Sequence, residues 1–158
     1  MKHLILVRHA EAQREGLVPA DRDRALNMVG MQQVERLRPL LQPHLLNLDL
    51  VLSSNVRRTR QTLQGIQPLL PATVEISFDD ALYPTTAPLL WRRIQQTLAK
   101  YHKIMIIAHN PGLGNFANEI DSTLRDFPPA GALICASKNT SWQNTTALDW
   151  KPQSFLTV

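Results

Sequence analysis

Short apolar runs, each cut off abruptly by polar residues, dominate the hydrophobic pattern of this chain. Runs of this length without alternation predict strands buried on both faces of a sheet, and they lie at residues 4–7, 48–52 and 103–108. Between and after them, apolar residues recur every three or four positions, which is typical of amphipathic helices. The helices are predicted over residues 30–46, 56–70, 87–101 and 112–120.

Prolines within the first predicted helix and the pattern of the C-terminal third add to the predicted secondary structure. Pro39 and Pro43 are expected to kink or shorten the first helix. Two late strands are predicted around residues 132–137 and 146–150, with a polar turn between them. Strands that alternate with helices indicate an α/β fold, here a three-layer α/β/α sandwich with a mostly parallel central sheet. A chain of 158 residues suits a single domain, residues 1–158.

Polar residues stand where each of the three apolar runs ends. Arg8 and His9 follow the first run, Ser53 and Ser54 the second, and His109 the third. Ligands of open α/β sheets bind beyond the carboxyl ends of the strands, so these side chains are expected to converge. Arg58 falls in the first turn of the following helix and faces the same crevice. The sequence therefore predicts one pocket that holds two histidines and two arginines.

Two guanidiniums that face one pocket require an anion, and their planar fork matches the oxygens of phosphate or carboxylate. The histidines favour phosphate, because neutral imidazole is a competent nucleophile toward phosphorus. Nearby guanidiniums disfavour its protonation. The pattern predicts that His9 attacks phosphorus and becomes transiently phosphorylated, while the arginines stabilise the charge of the transition state.

Composition and residue spacing argue against several other classes of function. The net charge is +4, from 17 basic and 13 acidic residues. No recognition motif, aromatic platform or long basic run accompanies it, so no nucleic-acid partner is expected. Cys135 is the only cysteine and is expected to be a buried thiol in a cytoplasmic protein. No run approaches membrane-spanning length, so no membrane association is expected. His9 and His109 lack the spacing of a metal site, and neither a metal nor a cofactor is predicted.

Four blocks resemble the histidine phosphatase superfamily (phosphoglycerate mutase-like), and most closely its SixA-type phosphohistidine phosphatases. The first is Leu-Val-Arg-His-Ala-Glu at residues 6–11, similar to the Arg-His signature. The second is Asp-Arg-Asp-Arg-Ala-Leu-Asn-Met-Val-Gly at 21–30, a stretch shared with the SixA type. The third is Ser-Ser-Asn-Val-Arg-Arg-Thr-Arg-Gln-Thr at 53–62, and the fourth Ile-Ala-His-Asn-Pro-Gly-Leu at 107–113. The blocks occur in the order of the family.

Carried over residue by residue, the resemblance implies that His9 is the nucleophile. Arg8, Arg58 and His109 would form the phosphate pocket. Arg24 and Asp21 would line its mouth as substrate-binding residues, with Arg24 meeting the substrate, and Ser54 would have an orienting role. The alternative for Asp21 is a surface ion pair with Arg22 or Arg24. These positions are implied by the matching blocks, whereas the pocket of His9, Arg8, Arg58 and His109 also follows from the strand-end pattern.

The chain departs from the family pattern where a general acid is expected. Ala-Leu-Tyr-Pro at residues 81–84 occupies a region in which many relatives carry a glutamate, and Asn55 and Arg57 replace a proline and an apolar residue. Phosphohistidine tolerates a missing acid, because its imidazole leaving group can already carry a proton. The favoured substrate is therefore phosphohistidine in a protein domain. The alternatives are a small phosphorylated molecule, a mutase reaction, or a catalytically silent phosphate-binding module. Asp79, Asp80, Glu11 and Glu119 are the carboxyls available as acids.

Overall fold

The strands of the chain form one six-stranded sheet. The computed structural model describes residues 1–158. The strands are β1 (Lys2–Arg8), β2 (Leu50–Ser54), β3 (Glu75–Asp79), β4 (Lys103–Ala108), β5 (Ala132–Ser137) and β6 (Trp150–Leu156). Their order across the sheet is β3-β2-β4-β1-β5-β6. The first four strands pair in parallel, and only β5 runs against its neighbours. The predicted mostly parallel sheet is confirmed.

Four helices cover the two faces of this sheet. They are α1 (Met28–Leu41), α2 (Arg57–Ile66), α3 (Ala87–Gln95) and α4 (Gly112–Ile120). Helices α1 and α2 share one buried core with the sheet, and α3 and α4 share the other. This is the predicted three-layer sandwich. None of the helices has the length and apolar content needed to span a lipid bilayer.

Residues 4–7 of strand β1 form an unbroken apolar run because both faces of the strand are buried. Leu4 and Leu6 point into the core beneath α3 and α4, whereas Ile5 and Val7 point into the core beneath α1 and α2. All four side chains are buried. A strand at the centre of a sheet covered on both faces has no solvent-facing position, so the alternation of polar and apolar residues disappears.

Both edge strands differ from the prediction. No strand was predicted at β3, whose side chains are largely exposed, with Phe78 41% exposed. The strand predicted at residues 146–150 is instead a 3-10 turn at Ala147–Asp149, and β6 begins only at Trp150. Pro152 lies within β6, which an edge position allows because one side of the strand needs no hydrogen bonds.

Helices α1, α2 and α3 are shorter than predicted, whereas α4 has the predicted bounds. Helix α1 ends at Leu41, two residues before Pro43, and a short 3-10 turn follows. Pro39 lies inside α1 and does not end it. Helix α3 ends at Gln95 rather than near residue 101. Leu98, which extended the predicted apolar stripe, is 60% exposed and contributes nothing to the core.

Candidate active site

The carboxyl ends of β1, β2 and β4 meet at one edge of the sheet, around a pocket of about 520 Å³. Arg8 and His9 reach it from β1, His109 directly follows β4, and Arg58 comes from the first turn of α2. The ring centroids of His9 and His109 lie 5.0 Å apart. The structure thus brings together the four side chains that the sequence placed in one pocket. Two further predicted residues, Asp21 and Arg24, also line it.

The loop that carries His9 is held by both helices of one layer. The backbone N–H of Ala10 donates to Thr62 Oγ1 of α2 at 3.0 Å. On the other side, a Cβ at Gly30 of α1 would lie only 2.0 Å from the carbonyl oxygen of Glu11. Any side chain at Gly30 would push this loop away, so the last residue of the second sequence block acts by permitting close packing.

A backbone contact decides which nitrogen of His9 is available for chemistry. His9 Nδ1 lies 2.7 Å from the carbonyl oxygen of Ala10. A carbonyl oxygen can only accept, so Nδ1 must carry the hydrogen. The lone pair is therefore on Nε2. The hydrogen bond also fixes the ring, which leaves His9 oriented as a nucleophile would need to be.

Burial and positive charge keep His9 unprotonated. Burial is the largest influence, and the guanidiniums of Arg58 and Arg8 add to it, against the opposing effect of the Ala10 hydrogen bond. Together they lower the pKa of His9 to about 4. The sequence reasoning attributed this effect to the arginines alone, whereas desolvation contributes more. Near neutral pH the imidazole lone pair is available.

This low pKa predicts a specific pH dependence. The nucleophilic form of His9 should remain fully populated as the pH falls through the ordinary histidine range and be lost only near pH 4, because the folded-state pKa is about 4. An NMR titration of the His9 ring should have its midpoint there, and kcat/KM should show no inflection from this imidazole around its ordinary value of 6.5. A His9 midpoint near 6.5 would contradict this electrostatic description.

His109 is oriented by the residue that ends β2. Its Nε2 lies 2.8 Å from the hydroxyl oxygen of Ser54, and both residues are buried. Burial, with the nearby His9 and Arg58, lowers the pKa of His109 to about 2, so the ring is neutral. The hydroxyl of Ser54 has no other partner and can donate to Nε2 or accept from it, so this contact orients the ring and leaves Nδ1 as the second ring nitrogen. That nitrogen is buried with no partner in the protein. The arrangement fits the orienting role expected of Ser54.

The two pocket arginines are anchored differently. Arg8 Nη1 donates to the carbonyl oxygen of Phe127 at 2.9 Å. Arg58 is only 3% exposed and makes two contacts to one residue, with Nη1 on the carbonyl oxygen and Nη2 on the carboxylate of Asp21, at 2.9 and 3.0 Å. Anchored guanidiniums with fixed directions lose little conformational entropy when they bind an oxyanion.

Asp21 is the centre of a charged cluster that includes the ion pair with Arg24 considered from the sequence. Its carboxylate accepts from Arg58, from Arg24 Nε at 2.7 Å and from the hydroxyl of Tyr83. Burial by itself would raise the pKa of Asp21. The Tyr83 hydrogen bond and the charge of Arg58 outweigh it and lower that pKa to about 2. An ionised carboxylate repels phosphate, so Asp21 is suited to hold the arginines rather than to contact a phosphoryl group.

Tyr83 is a pocket residue that the sequence reasoning missed. Its ring centroid lies 5.0 Å from that of His109, and the Arg58 guanidinium lies 5.3 Å from the ring. The only signal in the sequence was that residues 81–84 stand where many relatives carry a glutamate. No residue-level pattern pointed to an aromatic side chain.

Only some of the carboxyls that could serve as a general acid line the pocket. Glu11 lines the pocket, as do Glu15 and Asp21. The other carboxyls considered do not, and each has a partner elsewhere: Asp79 with Arg93, Asp80 with Arg22, and Glu119 with Trp91. Since Asp21 is held ionised, only Glu11 and Glu15 remain near enough to donate a proton.

Comparison with known proteins agrees with this geometry. The model of the histidine phosphatase superfamily (branch 1) matches residues 4–110, about two thirds of the chain. The chain belongs to this superfamily, and its enzyme class is that of a phosphatase, a hydrolase. An uncharacterised chloroplastic protein of Arabidopsis thaliana is 26% identical over 168 residues, covering 98% of this chain and 77% of its own length.

Solved structures show the same fold. The Agrobacterium tumefaciens protein assigned as phosphohistidine phosphatase SixA is 24% identical, with a TM-score of 0.83 over 99% of this chain and 98% of its own. The protein histidine phosphatase SixA in complex with tungstate is 19% identical, with a TM-score of 0.75 over 98% and 96% of the two chains. A phosphoserine phosphatase of Entamoeba histolytica bound to 3-phosphoglyceric acid is more distant, with 15% identity and a TM-score of 0.66 over 100% and 98%. The predicted SixA-like, phosphoglycerate mutase-like fold is confirmed.

Proposed function

We propose that this phosphatase removes the phosphoryl group from phosphohistidine in a protein partner, through a phosphohistidine intermediate on His9. The observation that carries the mechanism is the contact between His9 Nδ1 and Ala10, which leaves Nε2 as a nucleophile in a pocket lined by Arg8, Arg58 and His109.

In the first step His9 Nε2 attacks phosphorus, and the bond between phosphorus and the substrate's imidazole nitrogen breaks. Arg8, Arg58 and His109 stabilise charge on the phosphoryl oxygens. In the second step water attacks the phosphorus of phospho-His9 and its proton passes to phosphate. Because Ala10 holds the Nδ1 hydrogen throughout, His9 leaves as a neutral imidazole. Each step balances without an additional proton donor.

The substrate class follows from the leaving group. A phosphohistidine protonated on its second ring nitrogen departs as neutral imidazole and needs no acid from the enzyme. An alkyl phosphate departs as an alkoxide unless it is protonated, and general acid catalysis contributes about 10²–10⁴-fold. Asp21 is ionised, Glu11 accepts a hydrogen bond from Asn27 at 2.9 Å, and Glu15 is exposed to solvent. The pocket is therefore better suited to phosphohistidine than to sugar phosphates.

Steady-state assays on the wild-type protein test this substrate class. The value of kcat/KM for a protein phosphorylated on histidine with phosphoramidate should exceed that for glucose 6-phosphate by at least about 10²-fold, the lower limit for a missing acid. p-Nitrophenyl phosphate, whose leaving group needs no proton, should be turned over as an intermediate case. The Glu11→Gln variant should retain activity on the phosphoprotein. A preference for glucose 6-phosphate that Glu11→Gln abolishes would identify a small-molecule phosphatase with Glu11 as its acid.

The other interpretations have less support. A silent phosphate-binding module would need no nucleophile, yet His9 is oriented and held neutral. A mutase would have to retain the phosphoryl group between two substrate positions, which an enclosed site favours. We also propose that residues 1–158 act as one catalytic domain in the cytoplasm, where the buried free thiol of Cys135 is compatible with reducing conditions.

A further inference from the structure

Buried side-chain polar atoms without a partner in the protein are concentrated at the active site. There are five such atoms in the chain, and four belong to residues that line this one pocket. Three of the four are Nε of Arg8, Nε of Arg58 and Nδ1 of His109, whose side chains the mechanism already uses. The fourth is the hydroxyl of Thr85, which neither the sequence blocks nor the mechanism assigned. A buried hydroxyl left without a partner destabilises a fold, so it calls for an explanation.

Thr85 is packed against the start of α4 and lines the same pocket as His109. Its carbonyl oxygen lies against Gly112, where a Cβ would be only 2.2 Å away, so the first turn of α4 packs directly on this residue. Helix α4 begins three positions after His109. Thr85 is 6% exposed, close to the 5% of His109 and the 3% of Arg58. Thr85 is therefore as buried as the phosphate-binding side chains that line the same pocket.

We infer that Thr85 is a catalytic residue whose hydroxyl donates a hydrogen bond to a nonbridging oxygen of the phosphoryl group. This inference rests on the proposed function, in which the phosphoryl group moves to His9 and then to water. In an in-line transfer the nucleophile and the leaving atom lie on opposite sides of phosphorus, and the three nonbridging oxygens lie between them, where charge must be stabilised. The Thr85 hydroxyl is a neutral donor without a partner at a residue that lines the same pocket as His9, Arg8 and Arg58, so it is suited to one of these oxygens.

A hydroxyl kept only for packing would behave differently on substitution. Valine has nearly the same shape as threonine, so it preserves packing and removes only the unpaired polar group. If Thr85 serves catalysis, Thr85→Val should lower activity and at the same time preserve or raise the melting temperature, as is common when an active-site polar group is removed. A purely structural threonine cannot give this combination.

The test compares Thr85→Val with Thr85→Ser in the full chain. We expect Thr85→Val to lower kcat/KM about 10²-fold, the effect of losing one donor to a transition-state oxyanion. It should weaken the binding of orthovanadate, measured by calorimetry, by a similar factor. Thr85→Ser retains the hydroxyl and should stay within about threefold of wild type for both quantities.

Thr145→Val is the matched control, because Thr145 is buried away from the pocket and its hydroxyl donates to the carbonyl oxygen of Trp142 at 2.9 Å. This variant should lose stability and keep its activity, the opposite of Thr85→Val. Wild-type orthovanadate affinity in Thr85→Val would overturn the inference. Orthovanadate binding is measured without turnover, so the two proposals can fail separately. A wild-type protein that hydrolyses none of the phosphorylated substrates would overturn the proposed function. Weaker orthovanadate binding by Thr85→Val would still support the contact between the Thr85 hydroxyl and a phosphoryl oxygen.

Discussion

Replacing His9 with alanine should abolish turnover, with kcat/KM reduced by at least about 10⁴-fold on every phosphorylated substrate. The reason is that His9 Nε2 forms the bond to phosphorus, and no second nucleophile is oriented toward the same position. His109 is 5.0 Å away, ring centroid to ring centroid, and its Nε2 is engaged by Ser54. The measurement is steady-state hydrolysis of p-nitrophenyl phosphate and of the histidine-phosphorylated protein.

The covalent intermediate gives a second, more specific result. Wild-type protein mixed with radiolabelled phosphoramidate and quenched in alkali should carry a label that is stable to base and lost in acid. NMR of the labelled protein should place phosphorus on Nε2 of His9, because Nδ1 is bound to the carbonyl oxygen of Ala10. His102→Ala, at an exposed histidine outside the pocket, is the control and should label normally. Turnover by His9→Ala, or a label on His109, would contradict this mechanism.

The second large effect is expected from Arg58→Met, which keeps an unbranched side chain but removes the guanidinium. The value of kcat/KM should fall about 10³-fold, or about 4 kcal/mol of transition-state stabilisation at 1.36 kcal/mol per factor of ten. Arg58 is only 3% exposed, and its guanidinium is fixed by two contacts to Asp21. A positioned cation in a site largely shielded from water stabilises phosphoryl charge more than a surface arginine can.

Arg57→Met is the matched control for this variant. Arg57 is the preceding residue, is exposed, and makes only a 3.4 Å contact to the carbonyl oxygen of Asp23. It should change kcat/KM by less than about twofold, since exposed charges contribute little. Equal effects at the two positions would contradict the assignment. Arg58→Met also leaves the Asp21 carboxylate without one partner, so the double variant with Asp21→Asn should recover part of the loss.

The sequence alone predicted the central strands and the four converging pocket residues, and the reasons are physical. β1, β2 and β4 are covered on both faces, so burial requires an unbroken apolar run that is easily recognised. The polar residues at their ends converge because parallel strands of one sheet end at the same edge. Arg8, His9, Arg58 and His109 could therefore be placed in one pocket before any contact was known.

The edge strands were harder to predict because burial does not determine their residues. β3 exposes Ile76 and Phe78, and its pairing with β2 depends on the backbone. β6 tolerates Pro152 for the same reason. The lengths of α1, α2 and α3 were also overestimated, since an apolar residue such as Leu98 can continue a stripe without being buried.

Only the tertiary structure decided how the pocket works. The hydrogen bond that fixes the His9 tautomer depends on a local backbone angle, and burial, the main cause of its low pKa, depends on the whole fold. The hydrogen bond between Asp21 and Tyr83 joins residues 62 positions apart in the chain, and the position of Thr85 is fixed by its contact with Gly112. Such contacts join loops, where neither periodicity nor spacing constrains which side chains meet. The sequence determined that Arg8, His9, Arg58 and His109 reach the site, and the packing of loops and helices around them determined their protonation, orientation and partners, Tyr83 and Thr85 included.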